Sequence, residues 1–65
     1  MIRVNDEPAE YELGLTVSTL LAREGLAVTM VAVWINEEFA RRSAYAQTPV
    51  PDDADITIVL MAAGG

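Results

Sequence analysis

The chain has 65 residues, of which 52% are hydrophobic, and its ten acidic side chains against four arginines give a net charge of −6. It contains no cysteine and no histidine, which excludes disulfides, thiol catalysis and imidazole bases or ligands. The acidic balance disfavours nucleic acid and anionic membranes as partners and favours a basic protein surface, although the same charge also serves solubility alone.

The length predicts one small domain spanning residues 1–65, with residues 62–65 as a flexible C-terminal tail. No apolar run approaches the roughly 20 residues needed to span a bilayer. The first residues, "MIRVNDEP", lack the apolar segment of a signal peptide. We therefore expect a cytoplasmic protein that is monomeric on its own.

The first two predicted elements are the strands of a β-hairpin. Ile2 and Val4 alternate with Arg3, which is the period of a half-buried strand. The turn-forming sequence "NDEP" at 5–8 leads into a second alternating run at 9–13. The second run is expected to place three residues on one side of its strand: Ala9, Tyr11 and Leu13.

A short amphipathic helix follows the hairpin. Thr16 is a suitable N-cap, able to accept a hydrogen bond from the backbone N–H of residue 18 or 19. The apolar spacing of Val17, Leu20 and Leu21 forms one helical stripe. Gly25 suits the left-handed position after the last turn. Because two turns are unstable alone, the helix is expected to pack on a sheet.

The apolar run at 30–35 predicts a central strand that ends at Asn36. A turn then leads into a short strand at Phe39–Ala40. Ser43 is a candidate cap for a single helical turn at 44–47. These elements would add a second hairpin to the sheet.

The segment at 48–55 contains two prolines and is predicted to be irregular, whereas 56–61 is predicted to be the last strand. Alternation in that strand would turn Ile56, Ile58 and Leu60 towards the helix. The predicted fold is α+β, with a mixed sheet of four to five strands packed on one helix. Its first and last strands can lie parallel in the centre, because the helix supplies a crossover between them.

Few side chains offer catalytic chemistry. Asp52, Asp53 and Asp55 are closely spaced, but they lack the further oxygen ligands and the central glycine of a calcium loop. A solvated turn is the better interpretation, and no metal site is predicted. Arg41 and Arg42 could bind an anion, although adjacent surface arginines more often form weak ion pairs.

The C-terminal sequence "IVLMAAGG" ends in Gly64 and Gly65. An α-carboxylate is fully ionised at neutral pH and can attack the α-phosphate of ATP when a partner holds both in line. Glycines lack Cβ and can pass through a narrow channel towards a bound nucleotide. The alternative is an ordinary frayed terminus, since two final glycines occur by chance in roughly one chain in 200.

These residues carry a resemblance along the whole chain. "TVSTLL" opens the helix, "VAVWINEEFARR" covers the middle strands, and "PDDADITIVLMAAGG" closes the sequence. The chain resembles the β-grasp sulfur-carrier family (MoaD/ThiS superfamily), and within it the thiamine-biosynthesis carriers of the ThiS type. Where that family has an Asp-Gly-Asp turn before the last strand, this chain has Asp53-Ala54-Asp55.

The resemblance implies a ubiquitin-like β-grasp fold and a carrier that is not itself an enzyme. A ubiquitin-activating-type adenylyltransferase (ThiF/MoeB-like) would adenylate Gly65 with Mg·ATP, and the carrier would bind no cofactor of its own. Sulfur from a cysteine desulfurase relay would then convert Gly65 to a thiocarboxylate. A thiazole synthase (ThiG-like) would receive that sulfur in thiamine biosynthesis.

Alternation also predicts a partner-binding patch. Trp34, Val59 and Met61 would face away from the helix beside the tail, with Glu10 and Glu12 nearby. Exposed apolar patches of this kind mark interaction sites, and tryptophan is a frequent anchor. The competing interpretation is that Trp34 packs over the sheet edge as part of the core.

Three alternatives to thiazole synthesis remain at this point. The sulfur could serve another pathway, such as molybdopterin or another sulfur metabolite. The domain could be a non-catalytic β-grasp binding adaptor with an incidental Gly-Gly end. A protein modifier joined to lysines would also end in Gly-Gly.

Overall fold

The computed structural model describes residues 1–61. Across them it contains β1 (Ile2–Val4), β2 (Glu7–Ala9), α1 (Val17–Arg23), β3 (Val31–Ile35), β4 (Glu38–Ala40), β5 (Asp55–Leu60) and 3-10 helices at Val28–Met30 and Arg42–Gln47. The strands form one sheet in the order β2-β1-β5-β3-β4. β1 and β5 are parallel and every other neighbouring pair is antiparallel. The predicted α+β fold, with parallel first and last strands in the middle of the sheet, is confirmed.

The first hairpin is tighter than predicted. Asn5 and Asp6 both have positive φ, 52° and 68°, as a two-residue type I′ turn requires. The chain therefore re-enters the sheet at Glu7, and the expected second strand at 9–13 is wrong. Pro8 lies opposite Arg3 in a pair without backbone hydrogen bonds, on an edge strand, where its missing N–H costs nothing.

The residues after β2 do not keep the alternation predicted for them. Ala9 and Tyr11 pack against the core, but Leu13 is 93% exposed. The chain has left the sheet by this point, so the period of a strand no longer determines which side chains are buried. The prediction that Leu13 lies on the same side as Ala9 and Tyr11 is therefore wrong.

Helix α1 begins and ends as its sequence predicts. The Thr16 hydroxyl accepts from the backbone N–H of Thr19 at 3.2 Å, and the Thr19 hydroxyl accepts in return from the backbone N–H of Thr16 at 2.9 Å. At the other end Gly25 has φ 72°. The N–H groups of Gly25 and Leu26 donate to carbonyls of the last turn, which forms a Schellman motif. The predicted stripe of Val17, Leu20 and Leu21 is buried.

The second hairpin joins β3 to β4 through Asn36 and Glu37, which have φ values of 49° and 72°. The following 3-10 helix begins at Arg42, and its N-cap residue, Arg41, makes no side-chain capping bond. Ser43 therefore lies inside the helix and does not cap it, which corrects the prediction. Burial of Tyr45, only 4% exposed, holds this turn against the core.

The core lies between α1 and one face of the sheet. Its buried members are Ile2, Leu15, Val17, Leu20, Leu21, Val31, Val33, Ala40, Tyr45, Val50, Ala54, Ile56 and Ile58. The turn before β5 places its positive φ, 64°, at Asp53. Ala54 is consequently free of that strain, and the residue is only 1% exposed. Within residues 1–61 no helix has the length and apolar character to cross a membrane.

Candidate functional site

The strand that leads to the C-terminus lies in the interior of the sheet. On one side β5 pairs with β3 along its length, from Ile35 opposite Ile56 to Val31 opposite Leu60. The N–H of Met61 then donates to the carbonyl of Met30 at 2.8 Å. The chain is thus bonded to β3 and to the residue before it, up to the last residue that the structure describes.

On its other side β5 is bonded to β1 and to the turn that follows it. Arg3 and Asn5 donate backbone N–H groups to the carbonyls of Ala54 and Ile56, at 2.9 and 2.8 Å. The side chain of Asn5 continues this ladder at Ile58. Backbone bonding on both sides makes β5 a rigid base for the residues that follow it.

The inner side of β5 is buried except at one position. Ile56 and Ile58 are 2% and 7% exposed, as expected, but Leu60 is 68% exposed. A seven-residue helix is about 10 Å long, whereas a six-residue strand is about 20 Å long. Leu60 lies opposite the buried Val31 and is therefore on the helix side of the sheet, as predicted, but it is at the end of β5, where the core no longer covers the strand.

The outer side of the sheet carries the predicted patch residues. Trp34 lies in register between Thr57 of β5 and Phe39 of β4, and it is half-buried. Val59 lies opposite Ala32, one row nearer the C-terminus, and is 46% exposed. Met61, which follows β5 directly, is 48% exposed. We call the half-buried Trp34 together with the exposed Phe39, Val59 and Met61 the outer patch.

Phe39 was not predicted to belong to the outer patch. Its ring meets the Trp34 indole edge to face, with 5.4 Å between centroids, and it is 60% exposed. The signal was present in the sequence, because a two-residue turn at Asn36 and Glu37 places residue 39 opposite residue 34. The sequence analysis assigned the short strand without deriving that register.

Further exposed apolar residues surround the end of β5. Val28 and Met30 lie on the 3-10 helix that precedes β3, and they are 39% and 36% exposed. Leu60 adds a third on the helix side of the sheet. The apolar surface therefore continues around the strand end instead of stopping at one face.

The acidic residues expected beside the patch lie elsewhere. The backbone carbonyl of Glu10 accepts from Arg23 at 2.8 Å, and the Glu12 carboxylate lies 3.6 Å from the Arg23 guanidinium. Arg23 is the last residue of α1. Glu10 and Glu12 thus border the C-terminal end of the helix, which corrects their expected position near the outer patch.

The aspartate cluster is engaged in ion pairs. Asp52 Oδ1 lies 2.8 Å from the α-ammonium of Met1, and Asp55 lies 3.7 Å from Arg3. The hydrogen bond and charge of the ammonium hold the pKa of Asp52 below its usual value, and Asp52 in turn raises the pKa of the Met1 amino group. In the part of the chain that the structure describes, no group of acidic side chains is arranged to hold a metal ion.

The remaining residues that the sequence analysis singled out lie after the edge strand β4 or outside the described residues. Arg41 and Arg42 follow the edge strand β4 and are exposed. Gly64 and Gly65, the predicted reactive tail, lie outside the described residues. The structure thus supplies the support for the tail: a two-sided central strand, with an apolar surface at its end.

Comparisons with known proteins agree with this architecture. The model of the ThiS family matches residues 2–65. The crystal structure of a thiamine biosynthesis protein (ThiS) from Geobacter metallireducens is similar, with a TM-score of 0.80, 28% identity, and coverage of 98% of this chain and 97% of that one. A solution NMR structure of a Geobacter metallireducens thiamine biosynthesis protein has a TM-score of 0.75 at 28% identity, covering 98% and 86%. No curated protein matches the chain. The five-stranded sheet with one helix is the ubiquitin-like β-grasp expected from the sequence.

Proposed function

This chain belongs to the ThiS family, whose members are small sulfur-carrier proteins, and we propose that its Gly65 carboxylate is the group that carries the sulfur. The observation that carries the proposal is the position of β5. A strand that pairs with β3 as far as Leu60 and is bonded on the β1 side as far as Ile58 leads, through Met61, into the last four residues. Four residues reach at most about 14 Å beyond Met61, which is long enough to enter a partner's active site.

The first chemical step is adenylation by a partner. A carboxylate oxygen of Gly65 attacks the α-phosphorus of Mg·ATP in a ubiquitin-activating-type adenylyltransferase, and pyrophosphate leaves. The carrier supplies the nucleophile, and the partner supplies the nucleotide site and the metal. With no histidine or cysteine in the chain, its own side chains offer neither an imidazole base nor a thiol for this step.

The second step exchanges the adenylate for sulfur. The terminal sulfur of a persulfide on a cysteine desulfurase relay attacks the activated carbonyl, and AMP leaves, which gives an acyl disulfide between Gly65 and the relay. A second thiol of the relay then cleaves the S–S bond and is itself oxidised to a disulfide with the relay sulfur. The product is a Gly65 thiocarboxylate. A thiazole synthase is the proposed acceptor, and the similar Geobacter metallireducens structures, described as thiamine biosynthesis proteins, support this choice over molybdopterin or another sulfur metabolite.

The outer patch is the proposed docking surface for the adenylating partner. Trp34 and Phe39 provide aromatic area, and Val59 and Met61 extend it to the strand end. Aromatic residues in the centre of an interface dominate binding free energies. A partner covering this patch would hold the start of the tail beside its own nucleotide site.

Intact-mass spectrometry tests the proposal. The carrier is incubated with a ubiquitin-activating-type adenylyltransferase, Mg·ATP and a sulfur donor, and the expected product has one oxygen replaced by sulfur. Deletion of Gly65 should abolish the exchange while the far-UV circular dichroism is unchanged. An unchanged mass of the wild-type chain, with the partner shown to be active on another carrier, would overturn the proposal.

One observation favours a second function, that of a binding adaptor. The outer patch is formed by side chains of β3, β4 and β5 and by Met61, so its apolar character does not depend on residues 62–65. An adaptor would bind its partner equally well after deletion of residues 62–65, and it would show no mass change. A carrier would lose turnover after the same deletion.

A further inference from the structure

The Asn5 side chain makes the hydrogen bonds to β5 that a further residue of β1 would make. After Val4 the chain turns away into the hairpin, whereas β5 continues past that point. Asn5 Oδ1 accepts from the N–H of Ile58 at 2.8 Å, and Asn5 Nδ2 donates to the carbonyl of Ile58 at 3.1 Å. One amide side chain thus makes both hydrogen bonds that a strand residue would make at this position.

This anchor determines where β5 leaves the β1 side of the sheet. With the amide in place, β5 is bonded on that side through Ile58, and seven residues separate that anchor from the C-terminal carboxylate. Without the amide, the last bond on this side is from the Asn5 backbone N–H to the Ile56 carbonyl. The last residue of β5 that is bonded on both sides would then be Ile56, and nine residues, 57–65, would follow it.

We propose that Asn5 is a positioning residue for the adenylation of Gly65. Together with the bonds on the β3 side, it fixes the position of β5 at Ile58, from which the chain leads to the carboxylate that must meet the partner's nucleotide. The inference rests on the proposed carrier function. Misplacement of a reacting group by about 1 Å can reduce a rate by about 100-fold, so a fixed strand end affects turnover and not docking.

Asn36 provides a matched control at the other end of the same strand. It also has positive φ in the first position of a two-residue turn. Its Oδ1 accepts from the N–H of Asp55 at 2.9 Å, and its own N–H donates to the Asp55 carbonyl at 2.8 Å. The two asparagines thus make similar contacts, but Asn36 holds the start of β5 and Asn5 holds its end.

The experiment compares Asn5→Gly with Asn36→Gly. Glycine suits the positive φ at both positions, so each variant removes the amide and keeps its turn. Amide hydrogen exchange followed by NMR measures the anchoring without any partner. Loss of a hydrogen-bonded anchor should reduce protection by about tenfold, at Ile58 in Asn5→Gly and at Asp55 in Asn36→Gly.

The second measurement is steady-state adenylation by the activating enzyme. We expect Asn5→Gly to lower kcat about tenfold with KM for the carrier unchanged, and Asn36→Gly to leave both near wild type. Equal protection at Ile58 in Asn5→Gly and wild type would overturn the anchoring. Reduced protection with an unchanged kcat would overturn the positioning role.

Failure of the proposed function would look different. In that case the wild-type chain itself would not be adenylated. The exchange data on Ile58 would still decide whether Asn5 anchors the strand end. The two failures are therefore distinguishable from the same set of three proteins.

Discussion

The indole of Trp34 and the ring of Phe39 meet edge to face across β3 and β4, with centroids 5.4 Å apart and planes inclined by 64°. The contact uses part of the Trp34 surface and leaves Phe39 60% exposed. Edge-to-face pairs contribute about 0.5–1.5 kcal/mol beyond the area they bury. The pair therefore orders two aromatic side chains on a surface that remains open to a partner.

We expect Trp34→Ala to raise the KM for the carrier in the adenylation assay about 30-fold, because an aromatic anchor contributes about 2 kcal/mol to an interface. The free energy of unfolding, measured in urea, should fall by only about 1–2 kcal/mol. Leu13→Ala is the control, since Leu13 is 93% exposed and far along the chain from the outer patch. Unfolding of Trp34→Ala at room temperature would show instead that Trp34 belongs to the core.

Two residues on the inner side of β5 should differ sharply in their effect on stability. Ile58→Ala should lower the free energy of unfolding by about 2–4 kcal/mol, because Ile58 is 7% exposed. Leu60→Ala should change it by about 0.5 kcal/mol or less, because Leu60 is 68% exposed. Urea denaturation of both variants measures the difference. A large loss in Leu60→Ala would mean that the core extends beyond the end of α1.

The turn before β5 provides a glycine test. Ala54→Gly should lower the free energy of unfolding by about 1–2 kcal/mol, because it removes a buried methyl group and adds backbone freedom to the unfolded chain. Asp53→Gly should be within about 0.5 kcal/mol of wild type, because Asp53 already has φ 64°. Thermal unfolding compares the two. Stabilisation by Ala54→Gly would indicate that the alanine is strained.

The ion pair between Asp52 and the Met1 ammonium predicts that its contribution to the stability of the fold has a bell-shaped dependence on pH. The lowered pKa of Asp52 means that its stabilisation is complete above the usual value of 3.8 and is lost as the pH falls through the folded pKa. The raised pKa of the amino group means that its stabilisation is present below 8.0 and is lost as the pH rises through the folded pKa.

Asp52→Asn should therefore lower the melting temperature slightly between those pH values and match wild type in strong acid and strong base. Asparagine keeps the oxygen that accepts from the N–H of Asp53, so the variant removes the charge alone. The effect is small because the pair is exposed. If the melting temperatures of the two proteins differed by the same amount from strong acid to strong base, the difference would not come from this charge pair.

Periodicity and caps predicted the part of the fold that depends on local sequence. Thr16 marks the start of α1 with a side-chain cap, and Gly25 follows its end with a positive φ; only a few residue types suit either position. The parallel pairing of β1 with β5 followed from chain order, because a crossover was available between them. Both predictions rest on rules that operate within a few residues or on connectivity.

The differences between the predicted and the observed positions depend on where elements end in space and on strand register. Leu60 has the correct parity for burial but lies past the reach of a seven-residue helix. Leu13 follows a strand that had already ended four residues earlier. Phe39 joined the outer patch through a register that two positive φ values determine. Alternation gives the side of a strand, but it does not give the length of the layer that covers it.

The alternation of β3 and β5 separates two kinds of residue along the same strands. Val33 and Ile58 face one another across the buried side, whereas Trp34 and Val59 belong to the outer patch. If the outer patch docks the partner as proposed, partner preference would be changed at every second position while the residues that hold the fold stay the same. On that proposal, exchanging a handful of outward side chains would redirect the same scaffold to a different activating enzyme.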